Sequence, residues 1–253
     1  MTVPLPCQRA GAVRPLVPVH GYLGGSAQWR DQIAAFAPTH DMIAPDLPGF
    51  GAAAALPGPD SIAGFAQAVL DCLDRLGVGR VTLPGHSVGG MIVQDIAARH
   101  PDRVERLILY GTGPLGRMPD RFEPLEVSMD RLAADGVVPT ADRICATWFR
   151  DGDRAPGYPF ARDLGGMASA QAARAALGAM RDWDGRAALP GLRVPCCVLW
   201  SDRDRSCLWP QVDVLWQGIA GARLAVVPAA SHAVHLEKPG IFDALLRDFL
   251  NEA

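Results

Sequence analysis

Along the chain, short apolar runs alternate with longer stretches whose apolar residues recur every third or fourth position. The first pattern predicts strands and the second amphipathic helices. Residues 16–20 (LVPVH) read as a strand, followed by GYLGGS and a helix in which Trp29, Ile33 and Phe36 share one face. A second strand falls within 40–51 (HDMIAPDLPGFG) and ends near Asp46 in a Pro/Gly turn. Ser61 is placed to cap a helix whose apolar face carries Ile62, Phe65, Val69, Cys72, Leu73 and Leu76, and which Gly77 and Gly79 stop. Residues 80–84 (RVTLP) read as a third strand, then a turn around Ser87, then a helix through Met91, Ile92 and Ile96 to about His100. Further strands are predicted at 104–111, 194–200 and 222–228.

The strands are apolar throughout rather than alternating. Interleaved with helices, that pattern predicts an α/β fold with a mostly parallel, doubly wound sheet buried on both faces. Only about one strand fits before Leu16. The rhythm breaks between Pro114 and Leu189, a stretch rich in Ala, Arg, Gly and Met with no convincing strand. It reads as a helical insertion lying over the sheet. The expected organisation is a core of residues 1–113 and 190–253 interrupted by the insertion at 114–189.

Composition narrows the partners. A chain of 253 residues can bury most of its apolar surface in one core. The net charge of −3 gives no electrostatic reason to expect nucleic acid or an anionic membrane. No apolar run approaches the roughly 18–20 residues that span a bilayer. The start, MTVPLPCQRAG, lacks a basic n-region and an apolar h-region, which predicts no secretory signal and a cytoplasmic location. Cys7, Cys72, Cys145, Cys196, Cys197 and Cys207 show no paired metal spacing and read as free thiols in a reducing compartment.

The candidate chemistry lies in loops after strands. Residues 83–91 (LPGHSVGGM) contain a G-x-S-x-G pattern, formed by Gly85, Ser87 and Gly89, between a strand and a helix. In that setting the pattern exposes a serine on a sharp turn. A serine hydroxyl is a poor nucleophile at neutral pH. It needs a base, an acid that orients the base, and N–H donors for the developing oxyanion. Asp202 and Asp204 follow the strand at 194–200, and either suits the acid. His232 and His235 follow the last strand and suit the base. No further ligands sit at metal spacing, so no metal is expected. His20-Gly21-Tyr22-Leu23-Gly24-Gly25 ends the first strand and can present backbone N–H groups.

The order Ser87, Asp204, His232, with HGYLGG upstream, resembles the α/β-hydrolase fold family. The resemblance extends over nearly the whole chain outside 114–189 and includes PDLPGFG (45–51) and SHAVHLEKP (231–239). It implies an acid three residues after the small residue ending its strand, which selects Asp204 over Asp202. It implies His232 as base, with His235 at a helper or packing position, and oxyanion donors in the N–H groups of Tyr22 and Val88. It makes 114–189 a helical cap over the pocket. Pro18 and Pro84 depart from the family's aliphatic strand residues, and Ser201 and Ser231 from its glycines.

The implied function is hydrolysis of a small-molecule carboxylic ester or lactone through a Ser87–His232–Asp204 triad and an acyl-enzyme. It needs no cofactor and suits a monomer or a homodimer. Trp148, Trp183, Trp209 and Met118 are apolar candidates to line the substrate pocket. The same fold also carries C–C bond hydrolases of diketone-like ring-fission products, cofactor-free lyases, perhydrolases and ligand receptors. His86 before the serine and GYLGG after the first histidine lean away from the C–C branch.

Overall fold

Seven strands form one sheet in the computed structural model, which describes residues 4–251; the first three residues of the N-terminal stretch read above lie outside it. In chain order they are β1 (Cys7–Ala10), β2 (Pro15–Leu16), β3 (Asp41–Pro45), β4 (Val81–His86), β5 (Val104–Tyr110), β6 (Cys196–Ser201) and β7 (Arg223–Val227). Their order in the sheet is β1-β3-β2-β4-β5-β6-β7, with β1 antiparallel to β3 and every other pairing parallel.

Successive strand residues point to opposite faces, and both sets are buried here. Val17, Ile43, Leu83, Leu107, Leu109 and Val198 enter one apolar cluster, packed by α2 (Ile62–Arg75), α3 (Val88–Arg99) and α8 (Trp209–Gly218). Leu16, Met42, Ile108, Tyr110 and Leu199 enter the other, packed by α1 (Arg30–Phe36) and by α10 (Pro239–Leu250), which follows the single turn of α9 (Val234–Glu237). The sheet is doubly wound, which is why its strands read as unbroken apolar runs. Ser61 caps α2 by accepting the Gly64 N–H at 3.2 Å, and Gly77 follows the helix at φ 67°.

The strand expected over 16–20 is shorter than its sequence suggests. Only Pro15–Leu16 pairs regularly, with a single bridge from Val19 to Gly85. Two prolines are the cause. Val17 and Val19 donate to the carbonyls of Thr82 and Pro84, both at 2.8 Å, so the chain runs on alongside β4. Pro18 and Pro84 have no N–H, and each removes one ladder bond. Pro84 is tolerated inside β4 because its carbonyl still accepts from Val19 and the His86 N–H reaches the Val19 carbonyl at 3.0 Å.

Between β5 and β6 the regular structure is helical: α4 (Leu125–Asp135), α5 (Val137–Ala146), α6 (Tyr158–Gly166) and α7 (Ala170–Asp182). An antiparallel bridge between Leu115 and Asp184 closes the two ends of this insertion. Ala172 of α7 packs against Gly49 and Gly58 of the core, where an added Cβ would sit 1.8 Å and 2.7 Å from its methyl. Among the described residues no helix is long and apolar enough to cross a membrane.

Candidate active site

Ser87 occupies the junction of β4 and α3 with φ 56° and ψ −119°, a conformation that costs a non-glycine residue about 1–3 kcal/mol. The turn is held by what surrounds it. The Ser87 N–H donates to the Tyr110 carbonyl at 2.9 Å, and the Ser87 carbonyl accepts from the Gly90 N–H and the Thr112 hydroxyl. The neighbouring glycines serve close approach, not left-handed backbone. A Cβ at Gly89 would lie 2.3 Å from the Val19 carbonyl oxygen and 2.6 Å from that of His20. One at Gly90 would lie 2.4 Å from the Thr112 methyl. Gly89→Ala must therefore push the strand carrying Val19 away from α3. We expect it to lower stability by about 3 kcal/mol, seen as a lower urea midpoint; an unchanged midpoint would contradict this packing.

Asp204 and His232 are both buried, and His232 Nδ1 donates to Asp204 Oδ2 at 2.8 Å. Asp204 Oδ1 accepts the N–H groups of Ser206 and Cys207 at 2.7 and 3.1 Å, which fixes the carboxylate's orientation. Asp202 points elsewhere: it is exposed, and its Oδ1 accepts the Ala229 N–H at 2.7 Å. Ser201, in place of a glycine, donates its hydroxyl to the Ser231 carbonyl at 2.6 Å and so ties the acid's strand to the histidine's loop.

Ser87 and His232 line one cavity with Tyr22, His86, Met118, Arg121, Phe122, Ile144, Trp148, Met180 and Ser206. Its free volume is about 20 Å³, room for roughly one water. Ser87 and His232 make no hydrogen bond to each other across it, a separation common before substrate closes a site. The N–H groups of Tyr22 and Val88 donate to no acceptor among the described residues. Val88 opens α3, so its N–H is one of the free donors of a helix start.

The pocket expectation divides. Met118 and Trp148 line the cavity, but Trp183 and Trp209 do not. Trp209 begins α8 on the outside of the sheet, is 39% exposed and leans on Trp200 at 5.5 Å. Trp183 ends α7 and folds over Gly185 at the closing bridge of the insertion. Sequence patterning did not single out Phe122, Ile144 and Met180, because both walls of a helical layer are apolar, nor Arg121, which lies outside any regular element.

Three further histidines brace the site. His20 Nε2 accepts the Leu47 N–H at 2.9 Å and its Nδ1 donates to the Gly21 carbonyl at 2.8 Å, joining the first glycine loop to the PDLPGFG loop. Asp46 adds to that joint by accepting the Ser26 N–H at 2.7 Å and its hydroxyl at 3.0 Å. His86 Nε2 donates to the His232 carbonyl at 3.1 Å, and its ring stacks on Tyr110 at 4.6 Å. The Tyr110 hydroxyl donates to the same carbonyl at 2.7 Å, and His235 Nδ1 lies 3.2 Å from that hydroxyl. Burial holds all three rings neutral: it lowers His20 and His86, and takes His235 down to about 3. Among the described residues no three His, Cys, Asp or Glu side chains are grouped to hold a metal ion.

The model of the α/β-hydrolase fold matches residues 14–136. The chain has the α/β-hydrolase fold. Its structure resembles the enol-lactonase of Burkholderia xenovorans LB400, with a TM-score of 0.90 and 27% identity over 98% of this chain and 96% of that one. In sequence it is 28% identical to a protein of Pseudomonas savastanoi pv. phaseolicola named as the carbamate hydrolase RutD, over 97% of this chain and 96% of that protein. The esterase EaEST of Exiguobacterium antarcticum shares the fold, with a TM-score of 0.89 and 22% identity over 97% of this chain and 95% of that one. Each resemblance spans both the α/β-hydrolase core and the helical insertion.

Proposed function

We propose that this α/β-hydrolase is a serine hydrolase that cleaves a carboxylic ester or lactone through an acyl-enzyme. The observation that carries the reading is the strained Ser87 turn facing the same cavity as the buried Asp204–His232 pair. Few structural demands other than a nucleophile require a serine at φ 56° in a cavity it shares with such a pair.

In this mechanism Ser87 Oγ attacks the carbonyl carbon and its proton passes to His232 Nε2. Asp204 keeps the Nδ1–H tautomer and stabilises the imidazolium. The Tyr22 and Val88 N–H groups hold the oxyanion, and the start of α3 adds a favourable dipole. As the C–O bond breaks, His232 returns the proton to the leaving alcohol, which stays tethered when the substrate is a lactone. Water then repeats the cycle on the acyl-enzyme, releasing a carboxylate and restoring Ser87. The insertion acts as a cap: its Met118, Arg121, Phe122, Ile144, Trp148 and Met180 close the cavity, so the insertion must shift to admit a substrate.

A carbamate is the second reading, supported by the near full-length similarity to RutD. The same proton path serves it: the alcohol leaves to give a carbamoyl-enzyme, and water then releases a carbamic acid that loses CO₂ to give the amine. The two readings separate on matched p-nitrophenyl esters, from acetate to octanoate, and N-alkyl p-nitrophenyl carbamates of the same lengths. We expect steady turnover of the esters and at most slow turnover of the carbamates. Faster carbamate turnover would favour the second reading, and inertness on every ester would overturn the first.

A further inference from the structure

We propose that the substrate carries a carboxylate a few carbons from the carbonyl that reacts, and that Arg121 and the Tyr22 hydroxyl bind it. The reaction is the one proposed above, and this inference rests on it. The recognition rests on how the cavity wall is built.

Arg121 lines the Ser87 cavity and is held from behind. Its Nη1 donates to the Glu123 carbonyl at 2.7 Å and to Ser128 Oγ at 3.2 Å, and its guanidinium lies 4.1 Å over the Phe122 ring. Its Nε and Nη2 have no acceptor among the described residues. Burial lowers Arg121 to about 10, so it stays charged at neutral pH.

The buried carboxylate two residues along, Glu123, is already engaged. Glu123 is bound by Arg143 at 2.5 Å, by Arg131 at 3.5 Å and by the Ser128 hydroxyl at 2.5 Å. Burial opposes its ionisation, but Ser128 and Arg143 prevail and hold it below the usual carboxylate range. Three arginines therefore crowd one carboxylate at this wall: Arg131 and Arg143 pair with it, while Arg121, which lines the Ser87 cavity, feels its charge but makes no ion pair with it.

Tyr22 supplies the second donor. Its side chain is 5% exposed, lines the same cavity, and its hydroxyl has no hydrogen-bond partner. Buried polar atoms are nearly always paired, and an unpartnered hydroxyl lining the same cavity as a guanidinium whose Nε and Nη2 lack acceptors marks where a ligand's oxygens belong. A planar carboxylate suits one guanidinium edge and one hydroxyl.

The approach agrees with this. Met118 and Arg121 also line an outer pocket of about 270 Å³ with Arg117, Pro119, Asp120 and Glu126. Arg121 thus stands between that pocket and Ser87. Glu126 in the outer pocket is neutralised by Arg117 at 2.7 Å, while Asp120 is exposed.

The test compares mono-p-nitrophenyl glutarate with p-nitrophenyl 5-methylhexanoate, which replaces the carboxylate with an isopropyl group of similar shape. We expect kcat/KM to favour the charged ester by about 10- to 100-fold, the range for a hydrogen-bonded charge. Arg121→Met should bring the ratio close to one, Arg121→Lys should restore part of it, and Tyr22→Phe, which keeps its backbone N–H, should reduce it. A native ratio near one, or a ratio that survives Arg121→Met, overturns the inference while leaving ester hydrolysis standing. If the native chain is inert on both esters, the ester reading fails and calorimetry on Ser87→Ala still decides. Tighter binding of methyl hydrogen glutarate than of methyl 5-methylhexanoate, abolished by Arg121→Met, upholds the carboxylate site. Equal affinities overturn it.

Discussion

Replacing Ser87 with alanine is expected to cut kcat on esters by roughly 10⁴- to 10⁶-fold. The fold should not notice. The bonds that shape the turn come from the Ser87 backbone, through Tyr110, Gly90 and Thr112, and none comes from its hydroxyl. Alanine keeps all of them and suffers no more than serine at φ 56°. Asp204→Asn should cost roughly 10⁴-fold for a different reason. The amide oxygen can still accept from Ser206 and Cys207, but the NH₂ then faces His232 Nδ1. That forces the ring proton onto Nε2, where it blocks acceptance of the serine proton. Both variants should show the native urea midpoint to within about 1 kcal/mol. Retention of more than about one per cent of native kcat by Ser87→Ala would contradict the assignment.

The second large effect is acid lability. His20, His86 and His235 are buried and neutral, each with its affinity for a proton lowered by burial, in the case of His235 to about 3. In the unfolded chain each titrates near 6.5. Their folded-state values are depressed, so their contribution is fully present above pH 6.5. As the pH falls below 6.5 the unfolded chain takes up protons that the folded chain refuses, and stability is lost down to the folded values. His235 alone should withdraw about 2 kcal/mol at pH 5, and the other two act in the same direction. At pH 5.5 the slope of unfolding free energy against pH should correspond to more than one proton taken up on unfolding, about one of them at His235. His235→Gln should reduce that uptake by about one. Unfolding curves measured in urea at closely spaced pH values give the slope directly, and an uptake of one proton or fewer would refute the neutral-histidine picture.

The order of elements was legible because both faces of the sheet are covered. Leu107 and Ile108 belong to opposite apolar clusters, yet both read as core residues in sequence. The extent of β2 was not, because an apolar run containing Pro18 has the composition of a strand but not its full ladder. The serine turn was legible from Gly85, Ser87 and Gly89. Gly89 makes room for the Val19 and His20 carbonyls and Gly90 for Thr112, while the left-handed residue is Ser87 itself. The choice between Asp202 and Asp204 could not be made from patterning, since a loop has no periodicity; burial and the bond to His232 separate them. The cavity wall was least legible of all. Trp183 and Trp209 carry the same apolar signal as Trp148 but lie elsewhere, and Arg121 sits in the segment between β5 and α4, where no periodic pattern marks it.

The central claim is that Ser87 is a nucleophile activated by its surroundings. It is tested most directly by treating the native chain and Ser87→Ala with a fluorophosphonate and reading intact mass and the modified peptide. The account predicts one adduct per native chain, on the peptide containing Ser87, formed with loss of fluoride, and none on Ser87→Ala. A native chain that stays unmodified, or an adduct that maps to another residue, would contradict it.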